Sequence, residues 1–203
     1  MRLLLATTNP HKRRELTELL ADLPVQVLTL ADVSDAPEVA EDRPTLQENA
    51  AKKACEVAAA CKEYVMADDS GLFVDALDGR PGVRSSRYAG PNPTSKKLCH
   101  KLLEEMAEVP DGSRRAHFRC CVAMADPEGQ LVLQASGIVC GNITREMRGS
   151  EGFGYDPVFR YRRWGRTFAE VPLEQKNSVS HRARALRAFR HLLARWLAER
   201  PES

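Results

Sequence analysis

The residues of this 203-residue chain best suited to chemistry lie in "MADDSGLFVD" (66–75), where Asp68, Asp69 and Asp75 flank Ser70–Gly71 in apolar surroundings. Adjacent carboxylates repel each other unless a cation, a proton or a donor cluster offsets them, so Asp68 and Asp69 are candidates for holding a hard metal ion. The alternative for the same residues is an Asx turn ending a strand, with Ser70–Gly71 as the turn former. A second run, "TTNPHK" (7–12), lies between a short apolar stretch and a helical pattern. Asn9 is placed to cap that helix and Pro10 to take its first position, so backbone N–H groups and the helix dipole point outward beside Thr7, Thr8 and Lys12. Such a loop binds anions, although a plain capped helix has the same pattern. Later in the chain, the Gly-Phe-Gly-Tyr loop of "GSEGFGYDPVF" can lie against a planar base, and Lys176, His181 and Arg182 add donors. Together the signals describe a nucleotide site with a phosphate end, a metal centre built from Glu41 with Asp68 or Asp69, and a base end.

These residues need elements to position them. "RLLLAT" reads as a short buried strand, and "KRRELTELLADL" as a helix with Leu16, Leu19, Leu20 and Leu23 at helical spacing. "VQVLTL" is a second strand. Thr45 and Glu48 have capping-box spacing ahead of a long alanine-rich helix, which places Glu41 just before a helix start. "YVMADDSGLFVDAL" returns as a strand, and "DGRPGVRSSRYAGPNP" reads as an ordered loop. "TSKKLCHKLLEEMAEV" is helical with Leu98, Leu102, Met106 and Val109 on one stripe, and "RRAHFRCCVAMA" and "QLVLQASGIVCGNITREM" flank the turn "DPEG" as an antiparallel pair. The last helix carries Leu186, Phe189, Leu193 and Trp196 on its apolar face and arginines elsewhere. Strands and helices alternate first and a hairpin follows, so the expected fold is α/β, a mixed sheet covered by helices.

Composition narrows the function. Lys plus Arg number 30 against 28 Asp plus Glu, a net +2, so no global charge excess argues for nucleic acid or membrane partners. No apolar run approaches the roughly 20 residues that span a bilayer, and "MRLLLATTNPHK" has too short an apolar core for a signal peptide, so a cytoplasmic location is expected. The six cysteines show no C-x-x-C and no zinc-knuckle spacing, and read as small buried hydrophobes.

"ATTNPHKRREL", "TLQENAAKKA", "ADDSGLFVDAL", "PGVRSSRYAG", "GFGYDPVF" and "EQKNSVSHRARAL" occur in that order over nearly the whole chain. They resemble the successive motifs of the inosine/xanthosine triphosphate pyrophosphatase family, also called the Ham1 family, whose bacterial members act on noncanonical purine nucleotides. The resemblance implies a single domain with an elongated two-lobed α/β fold, a long mixed sheet flanked by helices, an active-site cleft between the lobes, and a homodimer. It also implies Mg²⁺-dependent hydrolysis of ITP, dITP and XTP to the monophosphate and pyrophosphate, with one or more ions per subunit. By position, the phosphate loop falls on Thr7, Thr8, Asn9, Pro10, His11 and Lys12, the metal ligands on Glu41 and Asp69, and the catalytic carboxylate on Asp69. The resemblance further has Lys53 facing the phosphates and Ser70 contacting substrate, while Phe153, Gly154, Tyr155, Asp156, Lys176, His181 and Arg182 form the base side, with Asp156 expected to hold Arg182.

Two departures stand out. Thr8 replaces the family's usual glycine, and Arg43–Pro44 follows the acidic pair where a glycine is usual, which bears on the placement of Glu41. The nearest rival is a Maf-like nucleotide pyrophosphatase of different base specificity, against which "SHR" and "FGYD" argue. A rival of another class is a nucleic-acid-binding module using "RYRRWGR" and the arginines of the last helix.

Overall fold

The computed structural model describes residues 1–34 and 36–200, apart from the side chain of His11. Among the described residues, the strands β1 (Arg2–Leu5), β2 (Gln26–Thr29), β3 (Tyr64–Val74), β4 (Pro81–Gly82), β5 (Arg115–Ala125), β6 (Leu131–Ile143), β7 (Phe159–Tyr161) and β8 (Arg166–Thr167) form a mixed sheet. Its order is β2-β1-β3-β5-β6-β7-β8, with β4 paired to β3. The α-helices that accompany it are α1 (Pro10–Leu20), α2 (Leu46–Cys61), α3 (Ser95–Glu105), α4 (Leu173–Val179) and α5 (His181–Ala198). Among the described residues the chain divides into two compact units, one within 1–69 with 120–137 and 184–200, the other 70–119 with 138–183.

In the first unit β1 runs parallel to both β2 and β3, with Leu4 opposite Leu28 on one side and Val65 on the other. Leu3, Leu4 and Leu5 are fully buried, as a parallel strand covered on both faces requires. Leu16 and Leu20 of α1 and Ala185, Leu186, Phe189 and Leu193 of α5 join Leu3, Leu5, Met66 and Cys120 in one core. The expected helical stripes therefore face inward; Arg184, Arg187 and Arg195 of α5 lie off its stripe and are exposed, whereas Arg182, four residues before Leu186, is buried. In the second unit α3 contributes Leu98, Cys99 and Leu102 to a core with Leu72, Val74, Phe118, Tyr155, Phe159 and Phe168. Phe118, Phe159 and Phe168 pack ring against ring, with Phe118 and Phe159 centroids 4.6 Å apart.

The strand expected over "YVMADDSGLFVDAL" forms, and the alternative turn at Ser70–Gly71 does not. Both residues lie inside β3, which runs without interruption from Tyr64 to Val74. The glycine serves the neighbouring strand. Leu72 pairs with Gly82 of β4, and a Cβ on residue 71 would overlap the Gly82 carbonyl oxygen. Glycine here marks the close approach of another backbone. The hydroxyl of Ser85 fastens the same place, donating to the Gly82 carbonyl at 2.6 Å and accepting the Leu72 N–H at 2.8 Å. The loop from 78 to 93 contains β4 and is held by Tyr88, whose hydroxyl donates to Glu105 and whose carbonyl accepts from Lys101.

Candidate active site

The residues expected at the phosphate and metal lie in the first unit. Asn9 caps α1, its Oδ1 accepting the Lys12 N–H at 3.2 Å, and the Thr7 hydroxyl accepts the Asn9 N–H at 3.2 Å. Pro10 opens the helix, as its fixed φ favours. Among the described residues, positive φ outside glycine occurs at Lys62, Asp78 and Asn92 and not at Thr8, so that backbone does not need the glycine that Thr8 replaces. His11 lies in α1, and its side chain is outside the described residues.

Lys12 reaches from the first turn of α1 to Asp68, Nζ to Oδ2 2.8 Å. Asp68 and Asp69 are only 2% and 6% exposed and follow a buried apolar run of β3, so their charge must be met locally. Lys12 meets part of it, and the lysine of the loop is thereby aimed at the carboxylate pair.

Glu41 is placed by α2. The Lys53 ammonium donates to Glu41 Oε1 at 2.5 Å, and the adjacent Lys52 donates to the Ala40 carbonyl at 3.0 Å and to Asp42 at 2.7 Å. Buried Asn49 accepts the Arg43 N–H at 2.9 Å and donates to the Arg43 carbonyl. Residues 40–43 are thus tied to one helix by three side chains, and Arg43–Pro44 leaves Glu41 fixed on Lys53. Thr45 caps that helix where expected, its hydroxyl accepting the Glu48 N–H at 3.2 Å, but the Glu48 carboxylate accepts from that hydroxyl rather than closing a capping box on the Thr45 backbone. Asn49 and Lys52 are anchors that sequence reasoning missed. The motif "ENAAKKA" contains them, but nothing local shows that they turn back onto residues 40–43.

The donors are carboxylate oxygens, which suit a hard divalent cation. Among the described residues no group of three His, Cys, Asp or Glu side chains is assembled for a metal. Mg²⁺ usually binds one or two carboxylates and completes its shell with water and substrate phosphates, so Asp69 and Glu41 fit it as partial ligands.

The residues expected on the base side lie in the second unit. Asp156 Oδ2 accepts the Phe153 N–H at 2.9 Å and the Lys176 ammonium at 2.5 Å, and both charged side chains are buried. The Lys176 Nζ also lies 4.6 Å from the Phe153 ring centroid, and the Arg182 guanidinium carbon 5.6 Å from it. The ring therefore has two cations within cation–π range. Gly152, at φ +75°, packs so closely on Asp156 that a Cβ would run into the carboxylate. His181 stacks on Phe118, centroids 4.7 Å apart and planes 13° apart. It opens α5 after Ser180, whose hydroxyl accepts the Ala183 N–H at 3.2 Å. Tyr155 lies in the core, its hydroxyl donating to the Ser85 carbonyl at 2.9 Å, and burial raises its pKa. The partners found for Asp156 are Lys176 and the loop backbone, where Arg182 was expected.

Burial pushes the Cys99 thiol up to about 12, with the charge of Asp156 adding to the effect. All six cysteines are free thiols. Among the described residues, no helix is long and apolar enough to cross a membrane.

A family model described as "Ham1 family" matches residues 3–192. A protein of Geobacter sulfurreducens named "dITP/XTP pyrophosphatase" is 49% identical over 185 residues, covering 91% of this chain and 92% of its own length. One of the same name from Leuconostoc mesenteroides is 42% identical, covering 97% and 98%. Among solved structures, a HAM1 protein from Coxiella burnetii has a TM-score of 0.90 at 38% identity, covering 96% of this chain and 99% of that one.

Proposed function

The chain belongs to the Ham1 family, and we propose that it is a Mg²⁺-dependent nucleoside triphosphate pyrophosphatase that removes ITP, dITP and XTP from the nucleotide pool as monophosphate and pyrophosphate. One observation carries the chemistry: two adjacent buried carboxylates in mid-strand, the first engaged by the lysine of a capped helix N-terminus. The relatives named for this activity support the substrate class, and the Maf-like alternative is not favoured.

In this reading Asp69 accepts a proton from the water that attacks the α phosphorus. The new oxygen–phosphorus bond forms as the bond to the β-phosphate oxygen breaks, and pyrophosphate leaves. Lys12 and Lys53 offset charge on the phosphates, Thr7, Thr8 and Asn9 line the phosphate loop with Pro10 and His11, and Ser70 contacts substrate. Asp68 positions Lys12 through their ion pair. Bound through Glu41 and Asp69, Mg²⁺ would supply neutralising charge at the phosphoryl oxygens. Positioning and charge placement supply the catalysis, with no covalent intermediate.

Phe153 stacks on the base, and Asp156 and Lys176 hold that loop with Gly154 and Tyr155. His181 and Arg182 offer donors to the 6-oxo group of hypoxanthine and xanthine, where adenine has an amine. Each buried group left unpaired by the wrong base costs about 1–3 kcal/mol, so two mismatches give on the order of 10²-fold preference for ITP over ATP. The enzyme would act as a homodimer in the cytoplasm.

The test is to incubate the protein and Mg²⁺ with a panel of nucleoside triphosphates and identify the phosphate product. Pyrophosphate from ITP is expected, and direct release of orthophosphate would refute cleavage between the α and β phosphates. With Arg182→Ala, an unchanged ratio of ITP to ATP kcat/KM would remove Arg182 from base reading.

A further inference from the structure

We infer that Ser95 and Cys99, one turn apart on α3, are positioning residues that set the specificity loop by pinning both peptide planes around Gly154. The inference rests on the base-side role proposed for Phe153. The Gly154 N–H, part of the peptide joining it to Phe153, donates to Ser95 Oγ at 2.8 Å. The Gly154 carbonyl, part of the peptide joining it to Tyr155, accepts from Cys99 Sγ at 3.4 Å. Residues four apart on a helix share a face, so α3 grips the loop on both sides of a glycine, the residue with the widest backbone freedom.

Gly154 needs that grip. It sits at φ +62° and, being glycine, has no side chain to hold it. The N–H of Phe153 is held separately by Asp156. Ser95 therefore completes the fixation of Phe153, with one end of the residue on Asp156 and the next peptide on α3. Without it, rotation about Gly154 would let the ring leave the plane in which a base can stack.

The Ser95 hydroxyl is not taken up by capping the helix. Thr94 is the cap of α3, its hydroxyl accepting the Lys97 N–H at 3.3 Å, so the Ser95 hydroxyl is available to the loop. Cys99 is fully buried, and its raised pKa keeps the thiol protonated and able to donate across the neutral range.

The test compares Ser95→Val with Ser95→Thr, which have the same shape and differ in the hydroxyl. The readouts are kcat and KM for ITP, the affinity for IMP by calorimetry, and the melting temperature. Loss of one hydrogen bond predicts that Ser95→Val raises KM and the IMP Kd roughly three- to tenfold while kcat stays within about twofold, and that Ser95→Thr stays near wild type. Cys99→Ala against Cys99→Ser, which keeps a donor, gives a second pair with the same expected contrast. Equal behaviour of the Val and Thr variants, whether both normal or both impaired, overturns the inference. If wild type yields no pyrophosphate from ITP, the proposed function fails with it; if wild type does and the pairs do not separate, only the positioning role fails.

Discussion

Lys176→Met isolates the charge of the buried ion pair, because methionine keeps most of the length and apolar contact of lysine while removing its ammonium. In wild type the Lys176 and Asp156 side chains are 4% and 3% exposed and meet at 2.5 Å. The substitution leaves Asp156 to the Phe153 N–H and removes the cation lying 4.6 Å from the Phe153 centroid. Breaking a buried pair from one side costs about 3–5 kcal/mol, because one charge stays behind without its counterion. For a chain of this size each kcal/mol moves the melting temperature by about 2–4 °C, so the variant should melt roughly 6–20 °C lower. Calorimetry at fixed neutral pH measures this. The double variant Lys176→Met/Asp156→Asn removes both charges and leaves an amide oxygen for the Phe153 N–H, so it should recover more than half of the loss. A single variant melting within about 3 °C of wild type, or a double variant no more stable than the single, would refute a dry, charge-dependent pair.

Asp69→Asn should lower kcat by at least roughly 10²-fold, since base action and metal charge each contribute on that scale; near-normal turnover with an intact circular dichroism spectrum would move the role elsewhere. Glu41→Gln should raise the Mg²⁺ concentration for half-maximal activity, because a neutral amide oxygen is a poorer ligand for a hard cation, and an unchanged titration would remove Glu41 from the metal. Gly71→Ala should destabilise by about 1–3 kcal/mol through overlap with the Gly82 carbonyl, and wild-type stability in urea would show that β4 can move aside. Alkylation of the native protein at pH 8, followed by peptide mass spectrometry, should label exposed Cys140 and spare Cys99, which is buried and has its pKa pushed up to about 12; native labelling of Cys99 would contradict its protonated, enclosed state.

Local interactions made much of the fold legible in the sequence. Asn9 and Thr45 cap helices through bonds spanning three residues, and Asp126 closes the hairpin turn by accepting the Glu128 and Gln130 N–H groups. The apolar stripes of α1, α3 and α5 are periodic, so the buried faces were readable before any partner was known. The ordered motifs named the family for the same reason: they lie in the chain itself. Short pieces escaped. β7 and β8 have only three and two residues, and the seven residues of α4 are too few to show a clear period.

What only the tertiary structure decided is which distant groups meet. Ser70–Gly71 has turn composition, yet it stays in β3 because the missing Cβ makes room for β4. Lys12 acquires Asp68, residues 40–43 acquire three side chains of α2, and Asp156 acquires Lys176 twenty residues away. A carboxylate's partner is set by burial and by the packing that brings a cation within reach, and neither quantity is a property of its sequence neighbours. The sequence by itself therefore determined the kinds of residues available for phosphate, metal and base. The fold determined which of them share a charge, and which, like Tyr155, are turned into the core.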